Sequence, residues 1–128
     1  MPRAVCHDQR VPTALVVDDH PSFRRFARRL LEAGGFDVVG EAEDGASAIA
    51  RVREKEPDVV LLDVLLPDCS GFEVAEQLAA EPARPIVVLT SSRRAADLAP
   101  SLEHTSARGF IGKHELTAAA FAAMVGLT

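Results

Sequence analysis

The sequence contains few of the features that mark secreted, membrane-spanning or nucleic-acid-binding proteins. Its two cysteines, Cys6 and Cys69, are too few for a disulfide framework, so free thiols in a reducing cytoplasm are expected. No apolar run reaches membrane-spanning length, and no basic-then-apolar signal segment opens the chain. The four histidines are scattered singly, without metal-ligand spacing. A formal net charge of −5 disfavours binding to nucleic acid or to a membrane surface.

The remaining composition is typical of one folded domain. Of the 128 residues, 48% are hydrophobic and 26% are charged, which favours a packed core over disorder. The sequence shows no internal repeat, low-complexity tract or linker to a second domain. We therefore predict a polar N-terminal tail at 1–12 and a single domain at 13–128.

From residue 13 onwards, short β-rich runs alternate with amphipathic helical segments. The strand-like runs lie at 13–18, 36–42, 58–63, 84–90 and 107–113, and the helical segments at 20–35, 45–56, 71–81, 95–104 and 115–127. Pro100 should kink or shorten the fourth helix. Short apolar strands joined through helices pair in parallel, so we predict an α/β fold with helices on both faces of a five-stranded parallel sheet.

Polar side chains follow the apolar strands at the point where each strand ends. The first strand ends in Asp18 and Asp19, the third in Asp63, the fourth in Thr90 and the fifth in Lys113. Because parallel strands end at the same edge of a sheet, and ligands bind outside that edge, these side chains should meet at one site.

The five side chains together have the chemistry of a phosphoryl-accepting metal site. Three clustered carboxylates stay ionised only around a cation, and oxygen ligands without cysteine favour Mg²⁺. Lys113 and Thr90 suit phosphoryl oxygens, and a central carboxylate can be the nucleophile. Taken singly, Asp18 or Asp19 could cap a helix, Thr90 could end a strand and Lys113 could be solvated. Asp63 is the hardest to explain structurally, because it directly follows a buried apolar run.

Five segments carry a resemblance to a known family: "LVVDDHPSFR", "GEAEDGASAI", "PDVVLLDVLLPDCSGFE", "IVVLTS" and "ARGFIGK". With them the chain resembles the receiver domain of bacterial two-component response regulators, in detail the receivers of regulators with a helix-turn-helix output domain. The resemblance implies a flavodoxin-like (βα)5 three-layer sandwich with strand order 2-1-3-4-5.

The resemblance also implies roles for the acidic residues. Asp63 would accept the phosphoryl group of a histidine kinase or phosphotransfer protein. Asp19 and Asp63 would bind Mg²⁺ directly together with the backbone carbonyl of Leu65, whereas Asp18 would act through water.

A conformational switch is implied as well. Thr90 and Lys113 would hold the phosphoryl oxygens, and Thr90 and Phe110 would move together to change a surface of the fourth helix, fifth strand and fifth helix. A plain core role fits Phe110 as an alternative.

Four positions depart from the family pattern. His114 stands where proline is frequent, Leu65 where a longer or polar side chain is frequent, and Ser106 where glycine is common. Pro100 interrupts the fourth helix. The departures at Ser106 and Pro100 weaken the switching region, while the chemical residues are intact.

Two surfaces are candidates for partners. A basic strip on the first helix could steer a kinase, although a solvated face fits it equally well; the strip comprises Arg24, Arg25, Arg28 and Arg29. The last helix carries no charge after Glu115, which favours a homodimer or a covered output face; a mild alanine patch is the alternative.

Three functions remain in competition. The first is a phosphorylation-controlled signalling receiver, which is not an enzyme on an external substrate. The second is a Mg²⁺-dependent phosphohydrolase with an aspartate nucleophile, but such enzymes usually place an acid where Leu65 stands. The third is a degenerate receiver that serves only as an interaction module.

Overall fold

The computed structural model describes residues 11–126. The strands are β1 (Thr13–Val17), β2 (Asp37–Ala42), β3 (Val59–Asp63), β4 (Ile86–Ser91) and β5 (Gly109–Gly112). The helices are α1 (Pro21–Ala33), α2 (Gly45–Lys55), α3 (Gly71–Ala79), α4 (Ala99–His104) and α5 (Ala118–Val125). Most of the predicted tail, including Cys6, lies outside the described residues, so the predicted division at residue 12 stays a prediction. Within residues 11–126, no helix is long and apolar enough to cross a bilayer.

The five strands form one parallel sheet in the order β2-β1-β3-β4-β5, which confirms the predicted fold class and strand order. β3 lies at the centre, where every one of its residues is buried. Its register places Leu62 beside Val17 of β1 and Asp63 beside Thr90 of β4. The ends of the central strands therefore lie side by side.

Helices cover both faces of the sheet, because side chains along each strand alternate between two cores. One core joins residues such as Leu15 and Leu62 to α2 and α3. The other joins residues such as Val16 and Leu61 to α1 and α5, and includes an edge-to-face contact between Phe36 and Phe121. The central strands are thus fixed from both sides, and only their ends reach the site.

The last third of the chain differs in detail from the prediction. The fourth helix is preceded by a 3₁₀ turn at Ala95–Leu98, and Pro100 lies in the first turn of α4, where proline is tolerated. The last helix begins at Ala118 rather than at residue 115. Thr117 ends the preceding extended backbone, and its Oγ1 accepts a hydrogen bond from the N–H of Ala120 at 3.0 Å.

Gly71, the first residue of α3, allows the start of this helix to approach the end of β3. A Cβ atom at Gly71 would collide with the carbonyl oxygen of Asp63 and would lie 2.8 Å from Cα of Val64. Both of these neighbours are backbone atoms, so neither can move away as the end of a flexible side chain could.

Gly71→Ala should therefore lower the free energy of unfolding by about 2 kcal/mol, as overpacking does. Gly112→Ala is the matched control, because Gly112 has an ordinary φ of −61° and its nearest neighbour is the flexible Glu115 carboxylate at 3.1 Å. Urea unfolding of both variants measures the difference. Equal stability of the two variants would contradict the close approach.

Candidate functional site

The predicted polar residues meet at the edge of the sheet where the strands end. Asp18 follows β1, Asp63 is the last residue of β3, Thr90 is its neighbour in β4, and Lys113 follows β5. Asp18 and Thr90 are fully buried, and Asp63 is 3% exposed. Two carboxyl groups are therefore held beside each other with almost no contact with water.

Lys113 bridges these two carboxyl groups. Its Nζ lies 2.7 Å from Oδ2 of Asp18 and 3.4 Å from Oδ2 of Asp63. The ammonium group also lies 4.3 Å from the ring centroid of Phe23, a residue of α1, which adds a cation–π contact. Lys113 thus supplies positive charge from β5 to carboxylates from β1 and β3.

The pKa values of the two carboxyl groups are shifted in opposite directions from their ordinary values. Burial, followed by the charge of Asp18, raises the pKa of Asp63 to about 6. Burial also raises the pKa of Asp18, but hydrogen bonds from Lys113 and from the N–H of His20 outweigh it, and the net direction is downward. At neutral pH both groups are carboxylates, and Asp63 is the one that takes up a proton first.

A divalent cation fits this cluster. Ligand atoms of Asp18, Asp19, His20 and Asp63 all lie within 4.8 Å of one another. The cluster holds three acidic side chains against the one ammonium group of Lys113, so negative charge is left for a further cation.

His20 is the site residue that sequence reasoning missed. Its Nδ1 lies 3.0 Å from Oδ1 of Asp18 and 3.1 Å from Oδ1 of Asp19. The histidines show no metal-ligand spacing in the sequence, but the fold brings this one beside two carboxylates of the site. The available signal was its position directly after the aspartate pair, just before the helix that starts at Pro21.

The buried hydroxyl of Thr90 has no hydrogen-bond partner among residues 11–126. Such a group costs stability unless something pairs with it. Since Thr90 stands beside Asp63 in the sheet, its hydroxyl is free to serve a ligand at that carboxylate.

Comparison with known proteins decides the family. The family model of the response regulator receiver domain matches residues 14–124. The chain belongs to the response regulator receiver domain family.

Relatives of this receiver domain include regulators of transcription. The virulence-factor transcription regulator BvgA of Bordetella pertussis is 35% identical over 89% of this chain and 56% of its own length. The DNA-binding response regulator MtrA of Mycolicibacterium smegmatis is 43% identical over 70% of this chain and 39% of its own. A LuxR-family two-component response regulator from Aurantimonas sp. SI85-9A1 superposes with a TM-score of 0.79 at 29% identity, covering 91% of this chain and 87% of that one. The receiver domain thus spans about half or less of these two curated relatives.

Hydrogen bonds hold the segment after Asp63 to the end of β3 and to the start of α2. The N–H of Leu65 donates to Oδ1 of Asp63 at 3.3 Å, while the Leu65 side chain is 66% exposed. Farther along, the Asp68 carboxylate accepts hydrogen bonds from the N–H groups of Gly45 and Ala46 at the start of α2, at 2.8 and 3.1 Å. These hydrogen bonds hold the pKa of Asp68 below its ordinary value.

The predicted switching region is also anchored. Both the N–H and the hydroxyl of Ser106 donate to the Glu76 carboxylate of α3, at 2.7 and 2.6 Å, so this departure from the family pattern adds contacts before β5. Phe110 is half-buried and borders a cavity of about 350 Å³ that His114 also lines. The switch role of Phe110 stays a prediction.

The basic strip on α1 is smaller than its sequence indicated. Arg24 and Arg28 turn toward Glu41 of β2 and form ion pairs at 3.0 and 2.8 Å. Arg25 and Arg29 remain exposed, on either side of Phe26, whose side chain is 49% exposed.

The raised pKa of Asp63 predicts how stability depends on pH. Because Asp63 binds its proton more tightly when folded than when unfolded, its ionisation removes stability as the pH rises through about 6. Asp63→Asn should therefore raise the free energy of unfolding by about 2 kcal/mol near pH 7.5, and the gain should vanish toward about pH 4.

Urea unfolding with EDTA across this pH range tests the prediction. The matched control is Asp37→Asn, at an exposed position where β2 begins. A gain for Asp63→Asn that is constant with pH, or that grows on acidification, would show that Asp63 is not a destabilising buried acid.

Proposed function

We propose that this receiver domain accepts a phosphoryl group on Asp63 from a histidine kinase, in a Mg²⁺-dependent reaction in the cytoplasm. Phosphorylation would then change the surface formed by α4, β5 and α5 and so control an output partner. The observation that carries the proposal is the position of Lys113, whose ammonium contacts the buried carboxylates of both Asp18 and Asp63. Receiver domains mostly serve in signalling rather than as enzymes.

Asp63 is suited to be the nucleophile. With a pKa of about 6 it is ionised at neutral pH, and the hydrogen bonds that its carboxylate accepts from the N–H of Leu65 and from Lys113 are long, at 3.3 and 3.4 Å. As a bond forms between a carboxylate oxygen and phosphorus, the bond from phosphorus to the donor's nitrogen breaks, and the electron pair stays with the donor. Lys113 and the hydroxyl of Thr90 would hold phosphoryl oxygens, and the positions of both residues beside Asp63 support this role.

The ligands for Mg²⁺ would be Asp19, Asp63 and the carbonyl oxygen of Leu65, with Asp18 acting through water. Bound there, Mg²⁺ would neutralise charge on the carboxylates and on the phosphoryl oxygens. The clustered acidic side chains support this assignment, because they exceed the positive charge that Lys113 provides.

The two competing functions have less support. A phosphohydrolase needs a group that activates water, and the side chain two residues after Asp63 is the exposed, apolar Leu65. A degenerate interaction module would have no use for a buried pair of carboxylates, which costs stability.

Mixing the protein with Mg²⁺ and acetyl phosphate should add one phosphoryl group per chain, seen by intact mass spectrometry. Asp63→Asn should abolish the adduct, and EDTA should do the same. Thr90→Ala should slow its formation by roughly tenfold or more, since a donor to the transferring group is lost.

Asp97→Asn, at an exposed position far along the chain, is the matched control and should behave as the wild type. Phosphate release over many turnovers would favour the phosphohydrolase, and no adduct at all would favour the degenerate module. Either result would overturn the proposed function.

The kinase would dock on the face of α1 that presents Phe26 between Arg25 and Arg29. This face combines an exposed aromatic ring with two arginines that have no ion-pair partner among residues 11–126. This receiver domain, with its net charge of −5, would make no contact with nucleic acid itself. In the longer relatives such as the DNA-binding response regulator MtrA, most of the chain lies outside the matched part, and an output domain there would bind DNA.

The outer face of α5 would be covered by a second copy after phosphorylation. Phe121 and Val125 face the core, while Ala119 and Ala123 are exposed on a helix without charges. Light scattering at high protein concentration, with and without acetyl phosphate, should show phosphorylation-dependent dimers that Ala119→Glu prevents. Ala50→Glu on the exposed side of α2 is the control. Strict monomers under both conditions would refute this arrangement.

A further inference from the structure

Arg24 connects α1 and β2 to the backbone between the two consecutive aspartates. Its Nη1 donates a hydrogen bond of 2.7 Å to the carbonyl oxygen of Asp18, and its Nε donates one of 3.0 Å to Oε1 of Glu41. The side chain of Arg24 is 17% exposed and that of Glu41 is 29% exposed, so the pair is mostly covered. Arg24 therefore contacts the backbone of the acidic site, although no hydrogen bond or ion pair joins it to a carboxylate of that site among residues 11–126.

The contact with Asp18 acts on a rigid unit. The carbonyl group of Asp18 belongs to the planar peptide group that joins it to Asp19. On the other side, the N–H of Asp18 donates to the carbonyl oxygen of Ala42 at 3.0 Å. Both peptide groups of Asp18 are thus held by β2 and α1, and the second of them sets the direction in which the Asp19 side chain leaves the backbone.

We infer that Arg24 is a positioning residue for the divalent-cation site, which sets the relative orientation of the Asp18 and Asp19 carboxylates through the peptide group between them. The inference rests on the proposed function. It extends that function by assigning cation affinity to a residue outside the ligand set. A charged donor at 2.7 Å is a strong constraint, since hydrogen bonds from ionised groups are about twice as strong as neutral ones.

Glu41 holds the guanidinium group in place. Burial raises the pKa of Glu41, but hydrogen bonds from Arg28 and Arg24 outweigh it and lower the pKa below its ordinary value. Arg28 donates to Glu41 at 2.8 Å and to the carbonyl oxygen of Val38 at 3.2 Å, and the hydrogen bond to the Asp18 carbonyl is made by Arg24. Arg28 therefore shares the helix and the acidic partner of Arg24, which makes it the matched control.

The test compares cation binding in Arg24→Ala and Arg28→Ala. Mn²⁺ serves as the probe, because electron paramagnetic resonance reads the free ion directly, and Mg²⁺ is measured by competition. Arg24→Ala should weaken binding of both ions by about tenfold or more, as loss of groups that orient metal ligands does, and Arg28→Ala by less than about twofold. Thermal unfolding without metal, recorded in parallel, should show similar losses of stability for the two variants.

Arg24→Lys separates positioning from charge. It keeps a cation beside Glu41 but replaces the two-pronged donor with a single ammonium group, so its affinity for Mn²⁺ should fall between those of the wild type and Arg24→Ala. If Arg24→Ala does not fold, weaker binding by Arg24→Lys than by the wild type carries the test.

Equal cation affinity in the wild type and the Arg24 variants would overturn the inference and leave the proposed function standing. Equal weakening by Arg24→Ala and Arg28→Ala would also overturn it, because loss of the ion pair with Glu41 alone would then explain the effect. A wild-type protein that binds no Mn²⁺ would refute both the proposed cation site and this inference.

Discussion

The mutual repulsion of two buried carboxylates is the constraint on which this receiver domain depends. Asp18 and Asp63 stand at the ends of neighbouring strands, where water cannot screen their charges. Lys113 relieves part of that repulsion by contacting both. The pKa of Asp63 stays raised, first because the group is buried and then because of the charge of Asp18, so the relief is incomplete. The arrangement therefore costs stability, and any ligand that brings positive charge or donates hydrogen bonds to these oxygens relieves that cost.

The surrounding structure holds this unfavourable arrangement in place. β1 brings Asp18 and Asp19, β3 brings Asp63 and β5 brings Lys113, and the order of the strands in the sheet decides which groups become neighbours. The close approach at Gly71 and the hydrogen bonds that Asp68 accepts from the start of α2 secure the segment after Asp63. The hydrogen bonds of Arg24 secure the segment after β1. Because the backbone is held on both sides, the two carboxylates cannot move apart, and their repulsion persists until a ligand relieves it.

Sequence reasoning succeeded where the signal was local and repeated. Apolar runs of strand length, alternating with amphipathic segments, predicted the sheet, and the polar residue after each run predicted that Asp18, Asp63, Thr90 and Lys113 would meet. It failed where a side chain could turn either way. Arg24 looked like part of a basic surface, but it turns toward Glu41. His20 was missed because the search for metal-ligand spacing compared histidines with one another, whereas its contacts are with the adjacent aspartates.

The amino-acid sequence by itself determined the strands and helices, their alternation and the chemical identity of the groups at the sheet edge. These follow from hydrophobic periodicity and from the residues at strand ends, which are local properties of the chain. Only the tertiary structure decided the distances among those groups, the side to which Arg24 and His20 turn, and the pKa of Asp63. These depend on contacts between residues far apart in the chain, such as Lys113 with Asp18, and on burial, which exists only once the layers have packed.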